Sequence, residues 1–133
     1  MRGLCHRGTM GCLDSHRWYR TTVEIPPRLD GAHVEFLITT GREGQWDATN
    51  PQMLFYLNGN IVQGVDVNHR EILISSGAKA GERYDIAILA YSGSVPGDLI
   101  IRTELVRVDD AVEKAYYDFL VPVQAARLLK KTG

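Results

Sequence analysis

The sequence predicts a mainly β fold: an antiparallel β-sandwich or jelly roll, closed by a C-terminal helix. Three observations carry this. About seven short β-rich runs follow one another at near-regular spacing, separated by turn residues. Asn58-Gly59 stands between two apolar runs, the pattern of a two-residue hairpin whose central residues both need positive φ. The period then switches from two to 3.6 after Val108.

The first strand is expected from Trp18. Trp18, Arg20, Thr22 and Glu24 alternate there with Tyr19, Thr21, Val23 and Ile25 until Pro26-Pro27 ends the run. Leu29-Asp30-Gly31 reads as a turn. His33 to Thr40 is a second strand with Val34, Phe36 and Ile38 on one face, and Met53 to Leu57 is a third. Ile61 and Val62 begin the return strand of the hairpin. Glu71 to Ile74 follows, with Ile72 and Ile74 on one face. Tyr84 to Tyr91 is nearly continuously apolar and is placed at the centre of a sheet. Leu99 to Val108 is the last strand.

Asp110 with Glu113 three residues on has the form of a helix start. Val112, Ala115, Tyr116, Phe119, Val123 and Ala126 form one helical stripe, which reads as a packing face. Pro122 is expected to kink or break this helix. A helix of this length at the end of a β domain needs a surface to pack on. The chain divides into an N-terminal segment 1–16, a β domain 17–108 and a helix 109–133.

Composition removes several classes of function. With 133 residues, 44% hydrophobic and 23% charged, the chain is an ordinary globular domain. Fifteen Lys and Arg against sixteen Asp and Glu leave a net charge of -1, without the basic excess of a nucleic-acid binder. No apolar run reaches a membrane span. The first fifteen residues lack the apolar core of a secretory signal, so the expected location is cytoplasmic with reduced thiols. The sequence contains no G-x-S-x-G, no P-loop, no G-x-G-x-x-G and no H-E-x-x-H.

Three clusters bear on chemistry. Cys5, His6, Cys12 and His16 are zinc-ligand types, but Cys5 and Cys12 do not match the usual short Cys-Cys spacing, and incidental residues at a loose terminus are the favoured reading. Trp46, Asp47, Asn50 and Gln52 set an aromatic plane beside amides and a carboxylate, as a pyranose site does; the bland reading is Trp46 folded over the core. Asp66, Asn68, His69 and Arg70 crowd polar groups into one inter-strand loop, where residue chemistry alone favours an Asx-type turn with a solvated His69.

The blocks GREGQWDATNPQMLFYLNGNIVQGVDVNHREI, AGERYDIAILAYSG and VEKAYYDFLVP, with the lead-in GCLDSHRWYRTTVEIP, occur in this order. Together they resemble the N-terminal β-sandwich region of microbial α-mannosidases of glycoside hydrolase family 38. The resemblance runs from about Gly11 onward and implies a jelly-roll, galactose-binding-like sandwich. It also implies a downstream α/β catalytic domain with an aspartate nucleophile and a divalent metal, usually zinc, announced by a His-x-Asp pair. No His-x-Asp occurs here: His6, His16, His33 and His69 are followed two positions on by Gly8, Trp18, Glu35 and Glu71. The expectation is therefore an accessory domain, inactive alone, with no catalytic residue, metal ligand or cofactor of its own. Its partners would be the catalytic domain of the parent enzyme, with α-mannosides as a further candidate, and neither nucleic acid nor membrane. The alternative is an independent carbohydrate-binding module. In either reading the face turned to catalytic domain or sugar is assigned to Trp46, Asp47, Asn50, Asp66, Asn68, His69 and Arg70. The chain reads as a piece of a longer enzyme, and missing N-terminal strands would leave a sheet edge open to homo-oligomer formation.

Overall fold

The computed structural model describes residues 14–43, 52–93 and 101–131. It contains β1 (His16–Glu24), a single 3₁₀ turn (Pro27–Leu29), β2 (His33–Thr39), β3 (Gln52–Leu57), β4 (Asn60–Val65), β5 (Glu71–Ser75), β6 (Arg83–Tyr91), β7 (Arg102–Val108) and α1 (Asp110–Lys131). The strands form two antiparallel sheets, one ordered β1-β6-β3-β4 and the other β5-β2-β7. The fold is thus mainly β with one C-terminal helix.

Period-two alternation decides which side chains meet between the sheets. Phe36, Ile38, Ile72 and Ile74 come from the three-stranded sheet; Met53, Phe55, Val65, Ile86, Ile88 and Ala90 come from the four-stranded one. All are buried in one core. The rings of Phe36 and Phe55 lie 5.4 Å apart at 51°, a tilted aromatic contact across the sheets. A second cluster, Ile25, Leu29, Ala32, Val34 and Ala78, packs beneath the 3₁₀ turn. Its backbone is tied by Gly31 N–H to Ala78 O at 2.6 Å and Ala78 N–H to Ala32 O at 2.9 Å. The buried backbone groups of this irregular corner are thereby satisfied.

The hairpin turn forms as expected. Asn58 has φ 49° and Gly59 φ 83°, and Leu57 pairs with Asn60. Asn58 is also held from outside its own hairpin: its amide donates to Asp85 O at 2.8 Å and its Oδ1 accepts from Asp85 N at 2.9 Å. The turn is therefore stitched to β6. A register shift between Phe55 and Tyr56 leaves β4 one residue longer than its partner there.

The helix differs from expectation in its cap and in not being broken at Pro122. Its cap is Asp109, one residue earlier than expected: Oδ1 of Asp109 accepts the amides of Ala111 at 3.0 Å and Val112 at 3.3 Å. α1 runs through Pro122 without interruption. Proline removes one backbone bond, and on an exposed helix the freed carbonyl can be hydrated. The apolar stripe does not pack on the sheets: Val112, Tyr116, Phe119 and Val123 are exposed, Phe119 by 75%. β7 lies at the edge of its sheet, and α1 leaves that edge after a single residue.

Candidate binding surfaces

Two surfaces are candidates for binding: the loop between β4 and β5, and the outer face of the four-stranded sheet. The loop, residues 66–70, is where the chain passes from one sheet to the other. Val67 is buried and pins its middle. Around it the Asp66 carboxylate turns back on the chain. Oδ1 of Asp66 accepts the amide of Asn68 at 2.7 Å and the amide of His69 at 2.8 Å. The Nδ1 atom of His69 lies 3.0 Å from the same oxygen. The Asp66 amide donates to His69 O at 3.3 Å, closing the turn. Burial works against ionisation of Asp66, but the two amides and the His69 ring outweigh it and hold the carboxyl below its ordinary value.

Of the expected site residues, the structure brings Asp66, Asn68 and His69 together, with Asp66 as the organiser of an Asx-type turn. The His69 side chain is 74% exposed. Arg70 turns instead toward Glu71, with Nη2 3.6 Å from Oε1, while its carbonyl accepts from the Ile38 amide at 3.1 Å. The loop is thus anchored to β2 as well. Trp46, Asp47 and Asn50 lie outside the described residues, as do Cys5, His6 and Cys12. Gln52 opens β3 with an exposed side chain. His16 belongs to β1, where its ring stacks 4.9 Å from that of Tyr91. Among the described residues no three His, Cys, Asp or Glu side chains come together as metal ligands.

The second surface was not singled out from the sequence. Register places His16, Trp18, Arg20 and Thr22 of β1 opposite Tyr91, Leu89, Ala87 and Asp85 of β6. Gln52, Leu54 and Tyr56 of β3 continue the first three rows, and Gly64 and Ile61 of β4 extend the Leu54 and Tyr56 rows. All of these side chains lie on the face opposite the core. Trp18, Leu54 and Ile61 are exposed, and Leu89, Ala87 and Tyr56 are half-buried. The Trp18 and Tyr56 rings meet at 5.3 Å across β6, and the Arg20 guanidinium sits 5.4 Å from the Trp18 ring. An antiparallel sheet with one wet face normally presents polar residues there. This one presents an apolar band with a polar rim. The signal was present in the near-continuous apolar run of Tyr84 to Tyr91, which befits a strand covered on both faces.

In comparisons with family models, curated proteins and solved structures, nothing matches this chain.

Proposed function

We propose that the chain is the N-terminal accessory domain of an α-mannosidase of glycoside hydrolase family 38, a jelly-roll, galactose-binding-like sandwich with a docking role. The reading rests on the ordered sequence blocks quoted above. One structural observation supports it: the block VEKAYYDFLVP forms a helix whose apolar stripe is left exposed by its own sheets. A connector leading to a second body would have this character, because a long helix gains most of its stability from packing. The parent enzyme would hydrolyse α-mannosides in a separate catalytic domain, and any zinc or other divalent metal would be held there.

The test mixes the purified chain with a family-38 catalytic domain lacking its own N-terminal region. Co-elution, with hydrolysis of an aryl α-mannoside rising above that of the catalytic domain alone, is the expected result. Absence of a complex with several such domains would overturn the docking role. Metal-dependent release of mannose by the chain alone would overturn its assignment as an accessory domain.

A further inference from the structure

We propose that two copies of this chain form a closed dimer in which α1 of each copy lies on the outer face of the four-stranded sheet of the other. The inference uses only surfaces of this chain and is independent of the family assignment: it covers the α1 stripe with a second copy, where the proposed docking role covers it with a catalytic domain.

Among the described residues, two apolar surfaces have nothing of the same copy packed against them. One is the stripe Val112, Tyr116, Phe119 and Val123 on α1; the other is the band Trp18, Leu54, Leu89, Tyr56 and Ile61 on the sheet. They cannot meet within one copy. Only Asp109 separates β7 from α1, and one residue spans about 3.5 Å. The sheets stack about 10 Å apart, and a helix on the far face would sit about another 10 Å beyond. Asp110 is also held at the three-stranded sheet, its Oδ1 2.6 Å from Nδ1 of His33.

Between copies the surfaces fit. The 22 residues of α1 extend about 33 Å. The nine residues of β6 extend about 30 Å. A helix about 10 Å across covers β1, β6 and β3, whose outer strands are separated by about 9.6 Å. Half-buried Ala87 and the side-chain-free Gly64 leave room beside the Trp18 and Tyr56 rings. Charge also matches. The helical stripe becomes basic at Arg127, about 12 Å beyond Phe119. On β6 the acid Asp85 lies about 14 Å along the strand from Leu89. Phe119 over Leu89 therefore brings Arg127 near Asp85. When two copies exchange helices reciprocally about a two-fold axis, the contact is made twice and the assembly closes. A helix footprint of about 33 by 10 Å, made once by α1 and once by the sheet of each copy, gives about 660 Å² per copy, near the size of a standard stable interface.

Sedimentation velocity on the full chain at micromolar concentration tests this. The expected result is a dimer for the native chain and a monomer for both Leu54→Glu and Phe119→Glu, each with an unchanged β-rich circular dichroism spectrum. Ile61→Glu serves as the sheet variant if Leu54→Glu does not fold. Leu73→Glu, on the outside of the other sheet, should leave the dimer intact. Mixing the two monomeric variants should restore a heterodimer, since one intact helix still finds one intact sheet. A monomeric native chain would overturn the proposal. So would a dimer that survives both Leu54→Glu and Ile61→Glu, which would mean helix-to-helix pairing, or a mixture that stays monomeric.

Discussion

The Nδ1 atom of His33 lies 2.6 Å from Oδ1 of Asp110, joining β2 to the first residue of α1. This contact ties the first turn of the helix to the three-stranded sheet. The Asp110 side chain is 75% exposed, so solvent screening keeps its contribution to global stability below about 1 kcal/mol. Asp110→Ala should therefore leave the thermal midpoint nearly unchanged, while amide hydrogen exchange in the first turn of α1 accelerates. A large drop in the midpoint would show that the contact does more than tie down the first turn.

Glu35 stands on the other side of His33, its Oε1 3.8 Å from Nε2. Burial raises its carboxyl above the ordinary value, helped by Glu113, Glu71 and Asp110 and opposed by His33. The folded protein thus binds this proton more tightly than the unfolded chain. Its favourable contribution is complete below the unfolded value of 4.5 and is lost as pH rises through the folded value. Glu35→Gln should accordingly stabilise the protein more at pH 7 than at pH 4. Denaturant titrations at both pH values check this; an equal effect at both would remove the electrostatic account.

Asp66 has the opposite sign. Its carboxyl is depressed below 3.8, so the stability it adds is fully present above that value and is lost as pH falls through the folded one. Asp66→Ala should cost about 1 kcal/mol at neutral pH, allowing for screening of a partly exposed group. The difference from the native chain should shrink in strong acid. Asp66→Asn keeps an acceptor for the Asn68 and His69 amides and should cost less at neutral pH. Chemical denaturation read at neutral and at acid pH separates the two effects.

Gly59 sits at φ 83°, where a Cβ would meet no atom but where L side chains are strained. Gly59→Ala should cost about 1 kcal/mol through backbone conformation alone. Asn58→Ala should cost at least as much, because it removes the bond from Asp85 N to Oδ1 as well as the side chain best suited to positive φ. If Gly59→Ala proves neutral in thermal melts, the turn is not in the left-handed region.

Phe55 is fully buried and faces Phe36 across the core. Phe55→Ala should cost about 3–5 kcal/mol, a large part of the stability of a domain this size. Loss of near-ultraviolet dichroism and a much lower midpoint are the expected signs. A loss below about 1 kcal/mol would mean that the two sheets do not share this core.

Strand positions were legible in the sequence because each depends on local rules. Val34, Phe36 and Ile38 alternate with half-buried neighbours in β2 as their spacing requires. Asn58-Gly59 makes its turn because steric limits on φ operate within two residues. Tyr84 to Tyr91 lies inside its sheet, between β1 and β3. The turn built by Asp66 was also foreseeable, since its partners are two and three residues away.

The tertiary structure alone decided what those strands do to one another. Pairing joins residues far apart in the chain, such as Trp18 with Leu89, and alternation says which face is apolar but not which strand lies beside it. Except for β3 and β4, successive strands are not neighbours in a sheet. Hence the apolar band of Trp18, Leu89, Leu54 and Tyr56 emerges only once β1, β6 and β3 are set side by side. The same holds for α1: its stripe announces that something must cover it, whereas where it leaves the fold, and so what it can reach, follows from β7 at a sheet edge and from His33 against Asp110.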